Sequence, residues 1–295
     1  MSAHPNYNAS DYQENRPRYN PSLIDTVLAL HRKNNPDADT DLAVDIATGT
    51  GIFARQLSSH FKRVVGTDIS AEMLQSARDS TTDSSIEYIA TPSEDLSVLE
   101  TGSVDVMTVA TAAHWFDIEA FIKEAKRVLK PSGTLAIFGY NGIINLVDYP
   151  HSSKILKEYY LNGDRYGYNW GAGYFIVANG YRIYHQALEK DGWSDIERRI
   201  FPDTIEGEPS AEYPPIVETE PIVVDFKVTW QTLQNYLLTS SAVTQFVKQH
   251  PERENPAKAV TRKMMSAAGT TDMDEKLNTQ WEQVLLTCHL PRTSN

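Results

Sequence analysis

The chain has little cysteine, no long apolar run and no excess of positive charge. Its 295 residues include one cysteine, Cys288, which excludes an internal disulfide framework and a zinc ribbon. No apolar run approaches the roughly 20 residues that span a bilayer, and the polar segment Met1–Ser10 lacks the apolar stretch of a secretory signal. A net charge of −12 argues against nucleic acid or an anionic membrane as a partner. These absences predict a cytoplasmic protein, either a monomer or a homodimer.

Residues 42–140 alternate short apolar runs with helical patterns, which is typical of βα units that build a parallel sheet. Asp117 and Ser70 precede two of the helical patterns and are the predicted N-caps. The predicted fold class is α/β, with a doubly wound, mostly parallel sheet. Its predicted strands are Leu42–Ala47, Arg63–Asp68, Ile86–Ala90, Val104–Ala110 and Thr134–Phe138.

A glycine-containing loop follows the first predicted strand. Asp45 begins the segment DIATGTG, in which Gly49 and Gly51 allow a ligand to approach the backbone closely. The helix that follows offers unpaired N–H groups at its first turn. Seventeen positions after Gly51, Asp68 ends the second predicted strand, where a carboxylate can accept hydrogen bonds from a ribose diol. This combination predicts a nucleoside cofactor.

Two classes of cofactor compete for this loop. The segment Gly49–Ala54 also satisfies the dinucleotide fingerprint G-x-G-x-x-G/A, which would favour a nicotinamide cofactor. Asp45 argues against that reading, because its charge would repel a pyrophosphate and attract a cofactor with a cationic amino-acid end. The eight histidines form no closely spaced pair, so no metal site is predicted.

With these residues the chain resembles class I S-adenosylmethionine-dependent methyltransferases. The family motif D-x-G-x-G-x-G matches Asp45–Gly51, with Ala47 in place of the first glycine, and the ribose-binding acid matches Asp68. Thr91–Leu96 is similar to the family's adenine loop, with Pro92 in place of its acid. The resemblance implies a Rossmann-like fold and S-adenosyl-L-methionine as cofactor, with S-adenosyl-L-homocysteine as product. The implied cofactor-binding residues are Asp45, Ala47, Thr48, Gly49, Gly51, Asp68, Ile69, Met73, Ser93, Glu94 and Thr111.

A second set of segments resembles a narrower group. Tyr12–Tyr19 looks like the Y-x-x-x-R-P-x-Y segment that precedes the core in fungal trans-aconitate methyltransferases and their cantharidin methyltransferase relatives. Ala113–Asp117 and Phe138–Tyr140 also match that group. The resemblance implies an anionic small-molecule substrate, an organic acid such as trans-aconitate, methylated on a carboxylate oxygen. It implies His114 and Tyr140 as catalytic residues, and Trp115, Arg16 and Tyr12 as substrate-binding residues.

Two alternatives to that function stay open. The first is O- or N-methylation of another metabolite, with His114 as general base. The second is a cofactor-binding protein without catalysis. The basic residues considered for an anionic substrate in the second half of the chain are Arg165, Arg182 and Arg198.

The resemblance also suggests three regions along the chain. Residues 1–35 are predicted to be an amino-terminal arm or lid with the first helix, and residues 36–140 the S-adenosylmethionine-binding core. Residues 141–295 are predicted to be an inserted substrate cap together with the last strands of the sheet. In this last region, strands are predicted at 193–201, 222–228 and 281–290 and a helix at 230–249, with a proline-rich linker or lid at 202–221.

Overall fold

The computed structural model describes Tyr19 and residues 21–33, 40–161, 176–177, 179–201, 216–217 and 228–290. Contacts within the chain define two units. The core unit comprises the described residues within 19–140, 176–222 and 283–295. The second unit comprises those within 141–175 and 223–282.

The core unit begins with alternating strands and helices. Its elements are α1 (Pro21–Lys33), β1 (Leu42–Ile46), α2 (Ile52–Leu57), β2 (Arg63–Asp68), α3 (Ala71–Asp79), β3 (Ile86–Ala90), β4 (Val104–Ala110), a 3-10 turn (Ala113–Trp115), α4 (Ile118–Val128) and β5 (Leu129–Leu146). Ser70 accepts a hydrogen bond from the Met73 amide and Asp117 from the Ala120 amide, so both predicted N-caps are confirmed. The last residues of β5 belong to the second unit.

The later chain adds elements to both units. The second unit contains α5 (Pro150–Leu161); the core unit follows with α6 (Arg182–Lys190), β6 (Ser194–Phe201) and β7 (Ile216–Val217). The second unit then continues with β8 (Val228–Thr229), α7 (Trp230–Leu238), α8 (Ser241–Gln249), α9 (Pro256–Ala268) and β9 (Lys276–Leu277). The last strand, β10 (Thr279–His289), lies mostly in the core unit.

The eight-stranded sheet has the order β3-β2-β1-β4-β5-β10-β6-β7. Strands β1 to β5 pair in parallel, whereas β10 pairs with β6 in antiparallel orientation. The predicted α/β class with a doubly wound, mostly parallel sheet is therefore confirmed. The strand order reverses between β1 and β4, and the carboxyl ends of strands at such a switch point flank a ligand crevice in open α/β sheets.

Helices cover both faces of this sheet, which explains why β1 and β4 read as nearly continuous apolar runs. Residues of α1 and α2 pack with one set of strand side chains, and residues of α4 and α6 pack with the other. The first cluster includes Leu23, Val27, Phe53, Leu57, Ala43 and Phe138. The second includes Phe121, Tyr181, Tyr184, Leu188, Ile46, Met107 and Ile137.

Two sequence predictions need correction. Strand β5 begins at Leu129 rather than Thr134 and runs to Leu146, because the predicted turn Pro131–Gly133 is absorbed as an irregularity opposite the start of β4. The predicted helix 230–249 is two helices, α7 and α8. The Thr239 hydroxyl donates to the Tyr236 carbonyl oxygen (2.6 Å), and such local side-chain bonds compete with helix continuation.

The strand predicted at 222–228 falls outside the described residues except for Val228, which lies in β8. The described residues include no helix long and apolar enough to cross a membrane. They also include no group of three or more His, Cys, Asp or Glu side chains placed to hold a metal ion.

Candidate functional site

The loop between β1 and α2 is a tight turn tied to β2. The Thr48 amide donates to the Thr67 carbonyl oxygen (2.8 Å), and the Gly51 amide donates to the Thr48 carbonyl oxygen (2.9 Å). Gly49 and Gly51 have φ of +57° and +76°, a region that side chains disfavour. A Cβ on Gly49 would meet nothing within 4 Å, whereas one on Gly51 would collide with the Tyr88 ring and hydroxyl. The backbone at Gly49 is therefore open to a ligand, and Gly51 is required by packing.

Asp45, at the carboxyl end of β1, is a fully buried carboxyl group. Its Oδ2 accepts from the Thr48 hydroxyl (2.6 Å) and its Oδ1 from the Thr108 hydroxyl on β4 (2.8 Å). The pKa of Asp45 is raised to about 6: burial is the largest cause, the two hydroxyl bonds oppose it, and the charge of Asp68 adds to it. The side chain is thus held rigidly and has a pKa within one unit of neutrality.

Asp68, at the carboxyl end of β2, is held by two backbone amides. Its Oδ2 accepts from Gly49 (2.9 Å) and its Oδ1 from Ser70 (2.8 Å). A carboxylate has about four acceptor sites, so these two bonds leave capacity for further donors. The next residue, Ile69, is 48% exposed, although it is a large apolar side chain. Met73, in the first turn of α3, is buried.

The loop after β3 approaches the same edge of the sheet. The Thr91 amide donates to the Asp68 carbonyl oxygen (3.2 Å), and Ser93 is buried. Glu94 Oε1 accepts from the backbone amide of Asp117, at the start of α4 (2.9 Å). One oxygen of Glu94 is therefore engaged in joining this loop to the segment that follows β4.

A cluster of hydroxyl and aromatic groups lies at the carboxyl end of β4 and on β5 just beyond its pairing with β4. Thr111 has φ +55°, which is strained for a β-branched residue, and its amide donates to the Phe138 carbonyl oxygen (2.8 Å). The hydroxyls of Thr111 and Tyr19 are 2.5 Å apart. The ring of Tyr140 is buried and stacks on that of Tyr19, with centroids 6.3 Å apart.

The 3-10 turn Ala113–Trp115 begins two residues after Thr111. It presents a half-buried His114 and a Trp115 that is 38% exposed, with ring centroids 5.0 Å apart. On the sheet side of the turn, Tyr184 of α6 donates from its hydroxyl to the Ala113 carbonyl oxygen (2.6 Å). An exposed indole beside an imidazole at the switch point is suited to contact a bound molecule.

Comparisons with known proteins agree with this geometry. A family model described as a methyltransferase domain matches residues 44–137. A Saccharomyces cerevisiae protein named as an S-adenosylmethionine-dependent methyltransferase is 25% identical over 288 residues, 96% of each chain. A Dictyostelium discoideum protein named as a methyltransferase is 32% identical over 160 residues, 54% of this chain and 57% of that protein. Residues 44–137 thus match a methyltransferase domain, and the comparisons support an S-adenosylmethionine-dependent methyltransferase.

A solved structure supports the fold of this methyltransferase. It is described as a type II methyltransferase from Anaeromyxobacter dehalogenans, and it matches with a TM-score of 0.66 at 22% identity. The match covers 94% of this chain and 99% of that chain. The family assignment favours S-adenosylmethionine over the nicotinamide cofactor that the glycine pattern also allowed.

The structure brings most of the predicted site residues of the methyltransferase to one edge of the sheet. Those at or after the carboxyl ends of β1 to β3 are Asp45, Ala47, Thr48, Gly49, Gly51, Asp68, Ile69, Met73, Ser93 and Glu94. Those after β4 are Thr111, His114 and Trp115, and Tyr140 lies on β5 just beyond its pairing with β4. The predicted substrate residues Tyr12 and Arg16, and Arg165, lie outside the described residues. Arg182 is exposed on α6, and Arg198 is buried on β6.

Sequence reasoning missed two residues that hold the site. Thr108 lies within the apolar run of β4, and a polar residue in a strand buried on both faces is a signal that could have identified it. Tyr184 gave no such signal, because a tyrosine in an amphipathic helix indicates core packing before it indicates a hydrogen bond to a segment 71 residues away.

Proposed function

We propose that the methyltransferase binds S-adenosylmethionine along the β1–α2 loop and the carboxyl ends of β2 and β3. Asp45 would face the cationic amino-acid end of the cofactor, and Asp68 the ribose. The open backbone at Gly49 supports this assignment. So does the buried Thr50 hydroxyl, which has no hydrogen-bond partner among the described residues. The exposed Ile69 offers an apolar surface of the kind that packs on an adenine ring.

The remaining cofactor residues would support these contacts. Ala47 and Thr48 form the start of the loop, and Thr48 also orients Asp45 through its hydroxyl. Ser93 and Glu94 would line the adenine side together with Met73. Glu94 would do so with its second oxygen, since Oε1 accepts from Asp117. Thr111 would close the site at the end of β4.

We propose further that the acceptor is a carboxylate oxygen of a small organic acid, with trans-aconitate as the first candidate. When bound, S-adenosylmethionine supplies a methyl group that is already activated on a sulfonium. The chain's own residues then have to hold the nucleophile in line, and orientation of this kind can supply about 7–11 kcal/mol of a barrier. A carboxylic acid with a pKa near 4 is ionised at neutral pH and needs no general base.

One observation carries the choice of a carboxylate. Residues 110–116, at and after the end of β4, and residues 138–140 of β5 contain hydroxyl groups and one imidazole but no Asp or Glu. The paired hydroxyls of Tyr19 and Thr111 and the side chains of Tyr140 and His114 are donors suited to an anionic oxygen. In this proposal His114 and Tyr140 contact the reacting carboxylate and Trp115 covers the rest of the acid. The substrate-binding role predicted for Arg16 and Tyr12 concerns residues outside the described part of the chain.

A second candidate rests on His114. Its half-buried imidazole beside the exposed Trp115 could accept a proton from a hydroxyl or amine acceptor, for which a base is useful. His114→Ala separates the two candidates. It should abolish methylation of a hydroxyl or amine, but it should leave methylation of a carboxylate partly active.

The test is transfer of labelled methyl from S-adenosylmethionine to a panel of di- and tricarboxylic acids led by trans-aconitate. The expected product is a methyl ester, whose label is lost on mild alkaline hydrolysis. Asp68→Asn, which also replaces one of the two oxygens that accept backbone amides, should weaken cofactor binding by more than its loss of stability explains, and Asp79→Asn, at the exposed end of α3, is the matched control. A silent panel with normal cofactor binding would overturn the organic-acid proposal. A label that survives alkali would favour the second candidate.

A further inference from the structure

Tyr184 connects α6 to the segment that follows β4. Its side chain is fully buried, and its hydroxyl donates to the Ala113 carbonyl oxygen at 2.6 Å. Its ring packs edge-on against Phe121 of α4, with centroids 6.4 Å apart. Ala113 is the first residue of the 3-10 turn that carries His114 and Trp115. The hydrogen bond therefore links the helix to the backbone of that turn.

Bonds from other elements fix the two ends of the same segment. At its start, the Thr111 amide donates to the Phe138 carbonyl oxygen (2.8 Å), and at its end the Asp117 amide donates to Glu94 (2.9 Å). Between them, the Trp115 and Phe116 amides bond to carbonyl oxygens within the segment, at 3.0 and 3.2 Å. The bond from Tyr184 adds an attachment in the middle of the segment, at Ala113, directly before His114 and Trp115.

The environment makes this bond a strong one. Ala113 and Tyr184 are both fully buried, so water does not compete for the carbonyl oxygen. Burial also raises the pKa of Tyr184, and the nearby charges of Glu94 and Asp117 act in the same direction. The phenol therefore remains a hydrogen-bond donor at every pH used in an enzyme assay.

We propose that Tyr184 is a positioning residue of the methyltransferase, whose hydroxyl holds the turn bearing His114 and Trp115 in the orientation that receives the acceptor. This role rests on the proposed function of those two residues. It predicts a defect in acceptor binding without a defect in cofactor binding, because the bond is made to Ala113 and not to the β1–α2 loop, and the cofactor residue of this segment, Thr111, is held separately by the Phe138 carbonyl oxygen.

The same helix provides a matched control. Tyr181 caps the start of α6 and is fully buried like Tyr184, but its hydroxyl has no hydrogen-bond partner within the described part of the chain. Tyr184→Phe and Tyr181→Phe therefore remove the same atom from the same helix, and only the first breaks a hydrogen bond. Leu188→Ala, at a fully buried α6 position, provides a destabilised variant whose turn contacts are intact.

Two measurements on the full-length protein test the proposal. The first is backbone amide hydrogen exchange at Trp115 and Phe116. Tyr184→Phe should accelerate it about tenfold or more through local opening, while Tyr181→Phe leaves it unchanged. The second is steady-state kinetics with the acceptor identified from the acid panel. Tyr184→Phe should raise the acceptor KM about tenfold, with the Kd for S-adenosylmethionine within about twofold of the wild-type value.

The two proposals fail in distinguishable ways. If no acid is methylated but Tyr184→Phe alone accelerates exchange at the turn, the organic-acid function is wrong and the hold of Tyr184 on the turn stands. If Tyr184→Phe and Tyr181→Phe give the same exchange rates, the positioning role is wrong whatever the acceptor. It is also wrong if Leu188→Ala reproduces the rise in KM, because the effect would then follow from lost stability.

Discussion

The buried carboxyl group of Asp45 should make both stability and cofactor affinity depend on pH near 6. Its pKa is raised from 3.8 to about 6, and burial is the largest cause. In the unfolded chain the group would titrate near its ordinary value. The folded protein therefore binds this proton more tightly than the unfolded chain does, and Asp45→Asn, which removes the titration and keeps the shape, is the perturbation that isolates it.

The direction of the stability effect follows from linkage. Because the folded pKa is the higher one, the stabilising contribution is fully present below pH 3.8 and is lost as the pH rises through about 6. The difference between the folded and unfolded pKa values of Asp45 corresponds to about 3 kcal/mol of unfolding free energy. The difference in unfolding free energy between the wild type and Asp45→Asn should therefore change by about 2.4 kcal/mol in favour of the variant between pH 4 and pH 7.5.

Cofactor binding should respond in the opposite sense. If the cationic end of S-adenosylmethionine requires the ionised carboxylate, the apparent Kd of the wild type is divided by the ionised fraction. At pH 5, one unit below the folded pKa, that fraction is about one tenth, so the Kd should be about tenfold weaker than at pH 7.5. Asp45→Asn should bind weakly at both pH values.

Urea titrations give the stability curves, and calorimetric titration with S-adenosylmethionine gives the Kd at each pH. The cofactor carries its own ionisable amine, so the comparison is always between the wild type and Asp45→Asn at the same pH. If the unfolding free energies of the wild type and Asp45→Asn run parallel when plotted against pH, Asp45 does not titrate near pH 6. A wild-type Kd that is flat between pH 5 and pH 7.5, with a variant of equal affinity, would refute the contact with the cationic end.

Two further substitutions test how the fold supports the site. Ala47 has φ +52°, so Ala47→Gly should stabilise the protein by about 0.5–1 kcal/mol in urea titrations, whereas Ala43→Gly in the extended, buried β1 should destabilise it. A loss of stability in Ala47→Gly would contradict the inference that the positive φ of Ala47 strains the backbone. Thr134→Val removes a hydroxyl that lies 2.6 Å from His31 Nδ1 and 3.0 Å from His289 Nδ1, both rings being buried, and should cost about 1–3 kcal/mol. Thr134→Ser should retain most of that stability, and equal losses in both variants would indicate a packing effect instead.

Local patterns were sufficient for the core of the fold. Strands β1 to β4 and the caps Ser70 and Asp117 agree with the sequence predictions, because apolar runs and capping side chains act within a few residues of themselves. The predictions were wrong where one local signal was overridden. Pro131–Gly133 reads as a turn, but it lies inside β5, where an irregularity in the pairing with β4 accommodates it.

The cofactor side of the site was also accessible from sequence, since its glycines and two acids are contiguous with the strand ends that place them. The pattern did not reveal how Asp45 is held. Thr48 is three residues away, but Thr108 comes from β4, and its alignment with Asp45 depends on the pairing of β1 with β4. The raised pKa of Asp45 is likewise a property of burial that a sequence motif does not encode.

The acceptor side depends still more on contacts that are distant in sequence. The chain returns to the core unit at residue 176, and α6 then brings Tyr184 to a carbonyl oxygen 71 residues earlier. Helical periodicity reports which residues of α6 are buried, but it does not report which partner they meet. The proposed acceptor residues His114 and Trp115 are therefore held by a partner that no local motif contains, whereas the proposed cofactor site is read from one loop and one acid. This is the physical reason why the cofactor class follows from the sequence more readily than the substrate, and why variants at Tyr184 should alter acceptor binding while the cofactor loop stays intact.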